Sequence, residues 1–456
     1  MSGDISEWVQ DIHCGDAAET LSQMPKDSVH CVMTSPPYYG LRDYSVDGQI
    51  GLEDELDQYI EELVDVFREV RRVLRPDGSA WLNLGDSYAG SGTTSNEGFN
   101  ERTGNSPGER HQEQGRPDKR VGQSLGRKNK MLVPHRVAIA LQDDGWIVRN
   151  DVTWAKPNPM PSSVKDRLNT TTEQVFHLVP EPDYWYDLDA IREPHAERTI
   201  ETQEYTGASK STDERPGGQN HSGGLHDPDM TRGDTLDPAG KNPGDVFEVT
   251  TKPFPEAHFA VYPPELVETP LKATCPPTVC AECGSPYERE TTERHPWERD
   301  AENVGRDQLR RALELADKHG LTEDHFRAIQ SKGVQDAGQD KEVYNDRNSD
   351  DVDRLAAEAK DALGGYFREF ITNDTETDGW KPTCDCDTDA TETGIALDPF
   401  AGAGTTCLVA KRHGRRFIGI DLNEEYVAMA QKRLGLTVDH PEHIRDDADA
   451  GLEDFA

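Results

Sequence analysis

The sequence predicts an α/β fold built on a doubly wound, mostly parallel β-sheet, with a smaller helical insert. Two observations carry this prediction. At both ends of the 456-residue chain, short apolar runs alternate with stretches whose apolar residues recur at helical spacing, which is the pattern of βα units. Between them, two close pairs of cysteines enclose a charged stretch with several predicted helices, which indicates a metal-bounded insert.

The N-terminal elements follow in order. VQDIHCGD at 9–16 and VHCVMTS at 29–35 predict buried strands, with a helix near 17–24 between them. Ile60, Leu63, Val64, Phe67, Val70 and Leu74 recur at helical spacing and predict the clearest helix, which Pro76-Asp77-Gly78 should end. SAWLNLGD then predicts another strand.

The remaining elements alternate with loops. Residues 90–130, rich in Gly, Ser and Asn, predict a long loop or lid, and VPHRVAIALQDDG and WIVRNDVTWAK predict a helix and a strand. Helices are expected near 305–317, 323–331 and 351–370. GIALDPF, 404–413, RRFIGIDL and NEEYVAMAQKRL predict strand, helix, strand and helix. The predicted divisions are a first domain segment at 1–279 with a variable region at 194–245, an insert at 280–386, a second domain segment at 387–436, and a disordered acidic tail at 437–456.

The chain carries 87 acidic against 49 basic residues, a formal net charge of −38. This resembles a protein adapted to a high-salt cytoplasm. At molar salt the Debye length falls to about 3 Å, so the acidity does not exclude DNA, and 102–136 is relatively basic. The sequence shows neither a signal peptide nor a long apolar run, which predicts a cytoplasmic protein without membrane spans.

A nucleotide-type site is predicted at 394–426, where a strand, a Gly-rich turn, a helix and a second strand follow one another. Gly402 and Gly404 let the turn approach a ligand at the helix N-terminus. Asp421, at the tip of the second strand, can accept hydrogen bonds from ribose hydroxyls. The simpler interpretation is a turn that only joins a strand to a helix.

A second site is predicted at Thr34-Ser35-Pro36-Pro37-Tyr38, directly after a buried strand. Ser35 Oγ and the Pro36 carbonyl could accept hydrogen bonds from an amine and aim its lone pair at a methyl donor. Consecutive prolines hold these acceptors in extended geometry. Tyr38 could stack on a base rotated out of a duplex. The simpler interpretation is a rigid Pro-Pro turn with a surface tyrosine.

These segments resemble the DNA amino-methyltransferase family. DPFAGAGTT is similar to its S-adenosylmethionine loop, GIDLNEEY to its ribose-binding segment, and SPPY to its (D/N/S)PP(Y/F) signature. The resemblance implies a Rossmann-like methyltransferase fold. It implies a catalytic segment of Ser35, Pro36, Pro37 and Tyr38, and cofactor contacts by Asp398, Phe400, Gly402, Gly404, Thr405 and Asp421. Serine in first position is similar to N4-cytosine members, and N6-adenine methylation is the alternative.

The catalytic segment precedes the cofactor loop, as in the circularly permuted beta class, which this chain resembles over 5–195 and 242–436. That resemblance places Asp16 near the cofactor adenine and His258 and Phe259 near the methionine end. It places target recognition at about 195–245, and Trp154, Lys156 and Asn158 along the target-base pocket.

Cys280-x-x-Cys283 and Cys384-x-Cys386 could supply four thiolates to one structural Zn²⁺ in a zinc-ribbon-like insert. A reduced thiol cluster and a redox disulfide are the alternatives. Four protein ligands would leave no open position for catalysis.

The resulting expectation is a methyltransferase that uses S-adenosylmethionine and acts on duplex DNA. A cognate restriction endonuclease is a candidate partner, and monomer and homodimer both stay open. Two alternatives remain: methylation of RNA or of a protein glutamine amide, and a zinc-dependent DNA-binding protein on an inactive methyltransferase scaffold.

Overall fold

The structure is a computed structural model and describes residues 4–44, 46–90, 123–193, 240–252, 261–301, 307–333, 349–371 and 373–436. Most of the predicted loop at 90–130, most of the variable region at 194–245 and the whole acidic tail at 437–456 lie outside these ranges. The expectations for those segments therefore stay predictions.

The described residues form two compact units. The first unit combines those of 1–186, 244–286 and 384–456, and the second combines those of 187–243 and 287–383. No helix in the described ranges is long and apolar enough to cross a membrane.

The described strands and helices alternate over most of the first unit. The strands are β1 (Asp11–Cys14), β2 (Val29–Thr34), β3 (Leu74–Leu84), β4 (Ile147–Ala155), β5 (Thr172–Val179), β6 (Val246–Glu248), β7 (Val279–Cys280), β8 (Tyr287–Arg294), β9 (Asp374–Pro382), β10 (Thr391–Glu392), β11 (Ile395–Asp398) and β12 (Arg416–Asp421). The α-helices are α1 (Ala17–Gln23), α2 (Leu56–Val73), α3 (Val133–Asp143), α4 (Pro264–Thr274), α5 (Asp307–His319), α6 (Glu323–Gly333), α7 (Ser349–Leu363), α8 (Thr405–Arg412) and α9 (Glu424–Leu434).

One sheet organises the first unit. Its described strands lie in the order β1, β12, β11, β2, β3, β5, β4, β6. Neighbours run parallel except at β5, which is antiparallel to both β3 and β4. The prediction of a mostly parallel α/β sheet is therefore confirmed. The sequence analysis did not predict β5 or its direction, because the residue pattern of one strand does not encode which way its partners run.

The core lies on both faces of this sheet. Alternate residues of a strand point to opposite faces, so Val32 packs in one apolar cluster with α1, α2 and α3 while Met33 packs in the other with α4, α8 and α9. Helix α2 shows the physical cause: Tyr59, Leu63 and Phe67, at helical spacing, are completely buried on one side. This two-sided cover makes the sheet doubly wound.

Helix α2 ends earlier than expected. The sequence analysis took Pro76-Asp77-Gly78 as the end of the helix, whereas α2 ends at Val73 and β3 begins at Leu74, which pairs with Val29 of β2. The early end is explained by this pairing, because Leu74 takes extended backbone geometry (φ −68°, ψ 137°).

The second unit contains the antiparallel pair β8–β9 and helices α5, α6 and α7. Its apolar core includes Leu309, Phe326, Leu363 and Phe370. The three predicted helices are present, but the last one stops at Leu363 and continues as a 3-10 helix at Gly364–Phe370. Two consecutive glycines at this point disfavour continued α-helix.

Candidate active site

The two predicted sites begin at neighbouring strand ends. Strand β2 ends at Thr34 and β11 ends at Asp398, and the two strands are parallel partners. The Thr34 hydroxyl donates a 2.7 Å hydrogen bond to Asp398 Oδ1. The carboxyl ends of parallel strands in a doubly wound sheet are where such folds bind ligands. The structure therefore brings both motifs to one edge of one sheet.

A single cavity joins the two motifs. It encloses about 1020 Å³ of empty space, part of it open to solvent. Residues predicted for the site that line it are Asp16, Ser35, Pro37, Phe400, Gly402, Thr405 and Asp421. Lining residues that sequence reasoning missed include Tyr44, Gln49, Tyr262, Asn423 and Tyr426. Their only sequence signal is the presence of aromatic and amide side chains near the motifs, which is too common to single them out.

Asp421 is positioned as an acceptor at the end of β12. Its Oδ2 accepts a 2.7 Å hydrogen bond from the Gly402 N–H, and its Oδ1 accepts a 2.9 Å bond from the Asn423 N–H. Burial raises the pKa of this carboxyl above its ordinary value. Each carboxylate oxygen has two lone-pair sites, so one on each oxygen stays available to a ligand hydroxyl.

The two predicted glycines do different work. Gly402 has φ +51°, lines the cavity, and has nothing within 4 Å of the position a Cβ would take. Gly404 has φ +71°, and a Cβ there would lie 3.0 Å from Ala430 Cβ. Gly404 does not line the cavity and lets α8 pack closely on α9.

Asp398 is fully buried and does not line the cavity. Besides Thr34, its carboxylate accepts hydrogen bonds from the Tyr262 hydroxyl at 2.7 Å and the Phe400 N–H at 3.1 Å. Burial is the main cause that raises the pKa of Asp398 to about 6, and these donors oppose it. In this geometry Asp398 holds the ends of β2, β11 and the cofactor loop together.

The other predicted cofactor residues lie as follows. Asp16 caps α1 by accepting a 2.9 Å hydrogen bond from the Glu19 N–H, and it also lines the cavity. Thr405 accepts a 3.0 Å hydrogen bond from Arg433. His258 and Phe259 lie outside the described residues, so their placement stays a prediction.

The catalytic segment is held by polar side chains from β3 and β5. The Tyr38 hydroxyl donates a 2.8 Å hydrogen bond to Glu173 Oε2, and Asn83 Nδ2 donates to Tyr38 Oη at 2.9 Å. The Tyr38 ring lies directly over Gly85, where a Cβ would meet ring carbons at 2.5 and 2.8 Å. Pro36 is buried and, like Tyr38, is not among the cavity-lining residues. Sequence reasoning missed Asn83, Gly85 and Glu173.

The residues expected along the target-base pocket are tied to their surroundings. Trp154 is buried and its Nε1 donates a 2.8 Å hydrogen bond to the Val249 carbonyl. Lys156 pairs with Glu173, and its ammonium lies 4.3 Å from the centre of the Trp154 ring. Asn158 exchanges hydrogen bonds with Thr251. Of these residues, Lys156 contacts the catalytic network directly.

The four predicted cysteine ligands come together in the first unit. The Sγ atoms of Cys280, Cys283, Cys384 and Cys386 all lie within 4.8 Å of one another. Tetrahedral Zn–S bonds of ~2.3 Å would separate the sulfurs by about 3.8 Å, so small side-chain adjustments suffice. Hydrogen bonding with Ser285 is the main cause that lowers the pKa of Cys283 to about 6, which favours the thiolate that a metal requires.

The backbone around these cysteines is anchored to the sheet. Gly284, with φ +71°, donates a 2.9 Å hydrogen bond from its N–H to the Cys280 carbonyl, which closes the turn. The buried His30 of β2 donates from Nε2 to the Gly284 carbonyl at 2.9 Å and accepts at Nδ1 from the Ile395 N–H at 3.1 Å. The cysteine turn is therefore joined to β2 and β11 by one side chain.

Comparisons with known proteins were made for the whole chain. A family model described as DNA methylase (N6_N4_Mtase) matches residues 29–279 and 389–432. The type II methyltransferase M.SfiI of Streptomyces fimbriatus is 33% identical over 428 residues, which cover 91% of this chain and 89% of the relative. The type II methyltransferase M.XycI of Xanthomonas campestris pv. cyanopsidis is 40% identical over 263 residues, 58% of this chain and 72% of the relative.

Among solved structures, the PvuII DNA methyltransferase (cytosine-N4-specific) is 14% identical, with 94% of this chain and 87% of that chain covered and a TM-score of 0.39. The family model spans more than half of this chain and includes both the Ser35–Tyr38 segment and the Asp398–Gly404 loop. The chain therefore belongs to the N6/N4 DNA methylase family.

Proposed function

We propose that this protein transfers the methyl group of S-adenosylmethionine to the exocyclic N4 of cytosine in duplex DNA, with the target base rotated out of the stack. One observation carries the proposal: Ser35 and Pro37 share a single cavity with Phe400, Gly402 and Asp421. A base amine and a bound methyl donor can then meet without water between them.

The cavity fits the methyl donor chemically. Asp421 retains acceptor sites for two ribose hydroxyls, Phe400 offers an aromatic face, and the space beside Gly402 is open. The volume of about 1020 Å³ is at the upper end of ordinary ligand pockets, ~300–1,000 Å³. When bound, S-adenosylmethionine supplies an electrophilic methyl group on a sulfonium.

The chain's own residues then act on the amine. Ser35 Oγ and the Pro36 carbonyl accept the two N–H bonds, which localises the nitrogen lone pair and aims it across the cavity. Because the prolines fix these acceptors before the base arrives, little reorganisation is needed at the moment of transfer.

Cytosine is proposed over adenine because serine opens the SPPY segment, as in the N4-cytosine members that it resembles. N6-adenine methylation is the alternative on the same scaffold. The strand order also supports the permuted beta class, since β2 with the catalytic segment precedes β11 in sequence but lies beside it in the sheet. Relatives named type II methyltransferases support a role in a restriction-modification system with a cognate endonuclease.

The test supplies the purified chain with isotopically labelled S-adenosylmethionine and duplex DNA, then separates the nucleosides by mass spectrometry. N4-methylcytosine is the expected product. N6-methyladenine would establish the alternative base. Cofactor binding without any methylated nucleoside, at low and at molar KCl, would contradict the proposal and favour an inactive scaffold that binds DNA.

We further propose that the four-cysteine cluster holds a structural Zn²⁺. The sulfurs lie within reach of one ion, and a closed set of four thiolates gives it no catalytic position. Metal analysis of the protein should find one zinc per chain, lost in Cys386→Ser but kept in Cys14→Ser, an exposed cysteine outside the cluster. A metal-free wild-type protein of unchanged stability would refute this assignment.

The acidic composition supports a third proposal, that the protein works in a high-salt cytoplasm. With a net charge of −38, self-repulsion is strong at low salt and screened at molar salt.

A further inference from the structure

A buried carboxylate lies behind the catalytic segment and none of the steps above uses it. Glu173 is the second residue of β5, and β5 is antiparallel to β3, so its beginning lies at the sheet edge where β3 ends. Its side chain is only 17% exposed. The Tyr38 hydroxyl and Asn83 Nδ2 both donate to Glu173 Oε2, at 2.8 and 3.2 Å.

The hydrogen bonds continue from Glu173 to Ser35. The Ser35 hydroxyl donates to Tyr38 Oη at 3.3 Å, and Asn83 Nδ2 donates to Ser35 Oγ at 3.2 Å. A carboxylate can only accept, so the direction of the whole set is fixed from its Glu173 end. Tyr38 must donate to Glu173, and Tyr38 Oη is then the acceptor for the Ser35 hydroxyl.

This direction determines what Ser35 offers to the cavity. A serine hydroxyl has one donor and two acceptor sites. Its donor is used on Tyr38 and one acceptor site is used by Asn83, so one lone pair remains for the cavity. Ser35 is therefore set as an acceptor for an amine N–H, as methyl transfer to an amine requires.

The charge at the far end is balanced. The Lys156 ammonium pairs with Glu173 Oε1, and its side chain is only 20% exposed. Burial, and after it the charge of Glu173, raises the pKa of Tyr38 well above its ordinary value. Tyr38 thus stays a neutral hydroxyl that can receive one proton while it gives up another.

We propose that Glu173 is the terminal proton acceptor of methyl transfer, reached from the target amine through the hydroxyls of Ser35 and Tyr38. This inference rests on the proposed function. The attacking nitrogen forms a bond to the methyl carbon, and the carbon–sulfur bond breaks with its electron pair left on sulfur. The nitrogen then bears a positive charge and one proton too many.

The surplus proton moves in three linked transfers. The amine proton goes to Ser35 Oγ as the Ser35 proton goes to Tyr38 Oη, and the Tyr38 proton goes to Glu173 Oε2. The products are a neutral methylated amine, a neutral thioether and a protonated Glu173, which later releases its proton to water. Lys156 and Asn83 are positioning residues for this relay.

The competing explanation is that Glu173 and Lys156 form only a structural ion pair. Single-turnover methyl transfer separates the two, together with equilibrium binding of S-adenosylmethionine and DNA. Glu173→Gln keeps the size of the side chain and removes its proton-accepting charge. Tyr38→Phe keeps the ring and removes the hydroxyl. Glu181→Gln, at an exposed glutamate after β5, is the matched control.

We expect Glu173→Gln and Tyr38→Phe each to lower the transfer rate constant at least about tenfold, as loss of general base catalysis does, while both dissociation constants stay near the wild-type values. The double variant should be no slower than the slower single variant, because both changes interrupt one relay. Glu181→Gln should transfer at the wild-type rate.

Wild-type transfer rates in Glu173→Gln, losses that multiply in the double variant, or a loss confined to the dissociation constants would each overturn the relay. If Glu173→Gln does not fold, Tyr38→Phe decides alone, and an unchanged rate constant refutes the relay. A wild-type protein that methylates no DNA would instead refute the proposed function, so the two failures are distinguishable.

Discussion

Thr34, the last residue of β2, donates a 2.7 Å hydrogen bond to Asp398, the last residue of β11, across 364 positions of sequence. Both side chains are fully buried. The bond fixes the Ser35–Tyr38 segment relative to the cofactor loop, because each segment starts at the residue that follows the bond. Any displacement of one motif is thereby transmitted to the other.

The buried Asp398 should make stability depend on pH. Its pKa is raised to about 6 in the folded protein, so folding favours the protonated acid. The associated stability is full below the ordinary pKa of 3.8 and is lost as pH rises through about 6. Between pH 5 and 7 the free energy of unfolding of wild type should fall by about 1 kcal/mol more than that of Asp398→Asn. Denaturant titration at both pH values measures the difference, and parallel pH profiles would contradict it.

Ser35→Ala should separate binding from methyl transfer. The serine oxygen accepts a hydrogen bond from the attacking amine, and loss of one preorganised hydrogen-bonding group costs on the order of 10²-fold in rate. We expect cofactor affinity to remain near that of wild type. Methyl transfer from labelled cofactor gives the rate, and Ser22→Ala on the exposed side of α1 is the control. Full activity in Ser35→Ala would remove the proposed role.

Asp421→Ala should mainly weaken cofactor binding. The variant removes the acceptors proposed for the ribose hydroxyls, and one lost hydrogen bond to a charged group costs about 1.5–3 kcal/mol, or at least tenfold in affinity. Titration calorimetry with S-adenosylmethionine measures this. Glu424→Gln, an exposed neighbour on α9, should bind like wild type. Equal affinity in Asp421→Ala would place the ribose elsewhere.

Gly402→Ala and Gly404→Ala should differ although they lie two positions apart. Both impose a left-handed backbone on alanine, which costs about 1–2 kcal/mol. Gly404→Ala adds a methyl group 3.0 Å from Ala430 Cβ, so it should lower the free energy of unfolding further. Gly402→Ala puts its methyl beside the cavity and should chiefly lower cofactor affinity. Thermal unfolding and calorimetry test this pair, and the opposite ranking would contradict it.

Salt should raise both stability and activity. The net charge of −38 repels itself at low ionic strength, and the Debye length shrinks to about 3 Å at molar salt. We expect a higher melting temperature and faster methyl transfer in molar KCl than in dilute buffer, although DNA affinity itself falls with salt. A protein that is most stable in dilute buffer would argue against high-salt adaptation.

The sequence by itself determined the elements and the two motifs. Helix α2 and strands β2 and β12 follow from the spacing of apolar residues, which is a local property of the chain. Gly402, Asp421 and Ser35 could be named from their positions directly after predicted strands, because parallel strands end at a common edge. The four cysteines were found from their pairing in sequence.

Only the tertiary structure decided how these parts work together. The burial of Asp398, the contact of Tyr262 with it and the packing role of Gly404 depend on neighbours far away in sequence. Glu173 gave no local signal, since its place behind Tyr38 arises because β5 enters the sheet antiparallel between β3 and β4. A residue's local pattern fixes the face of the strand it occupies, but its hydrogen-bond partners are set by strand order and register.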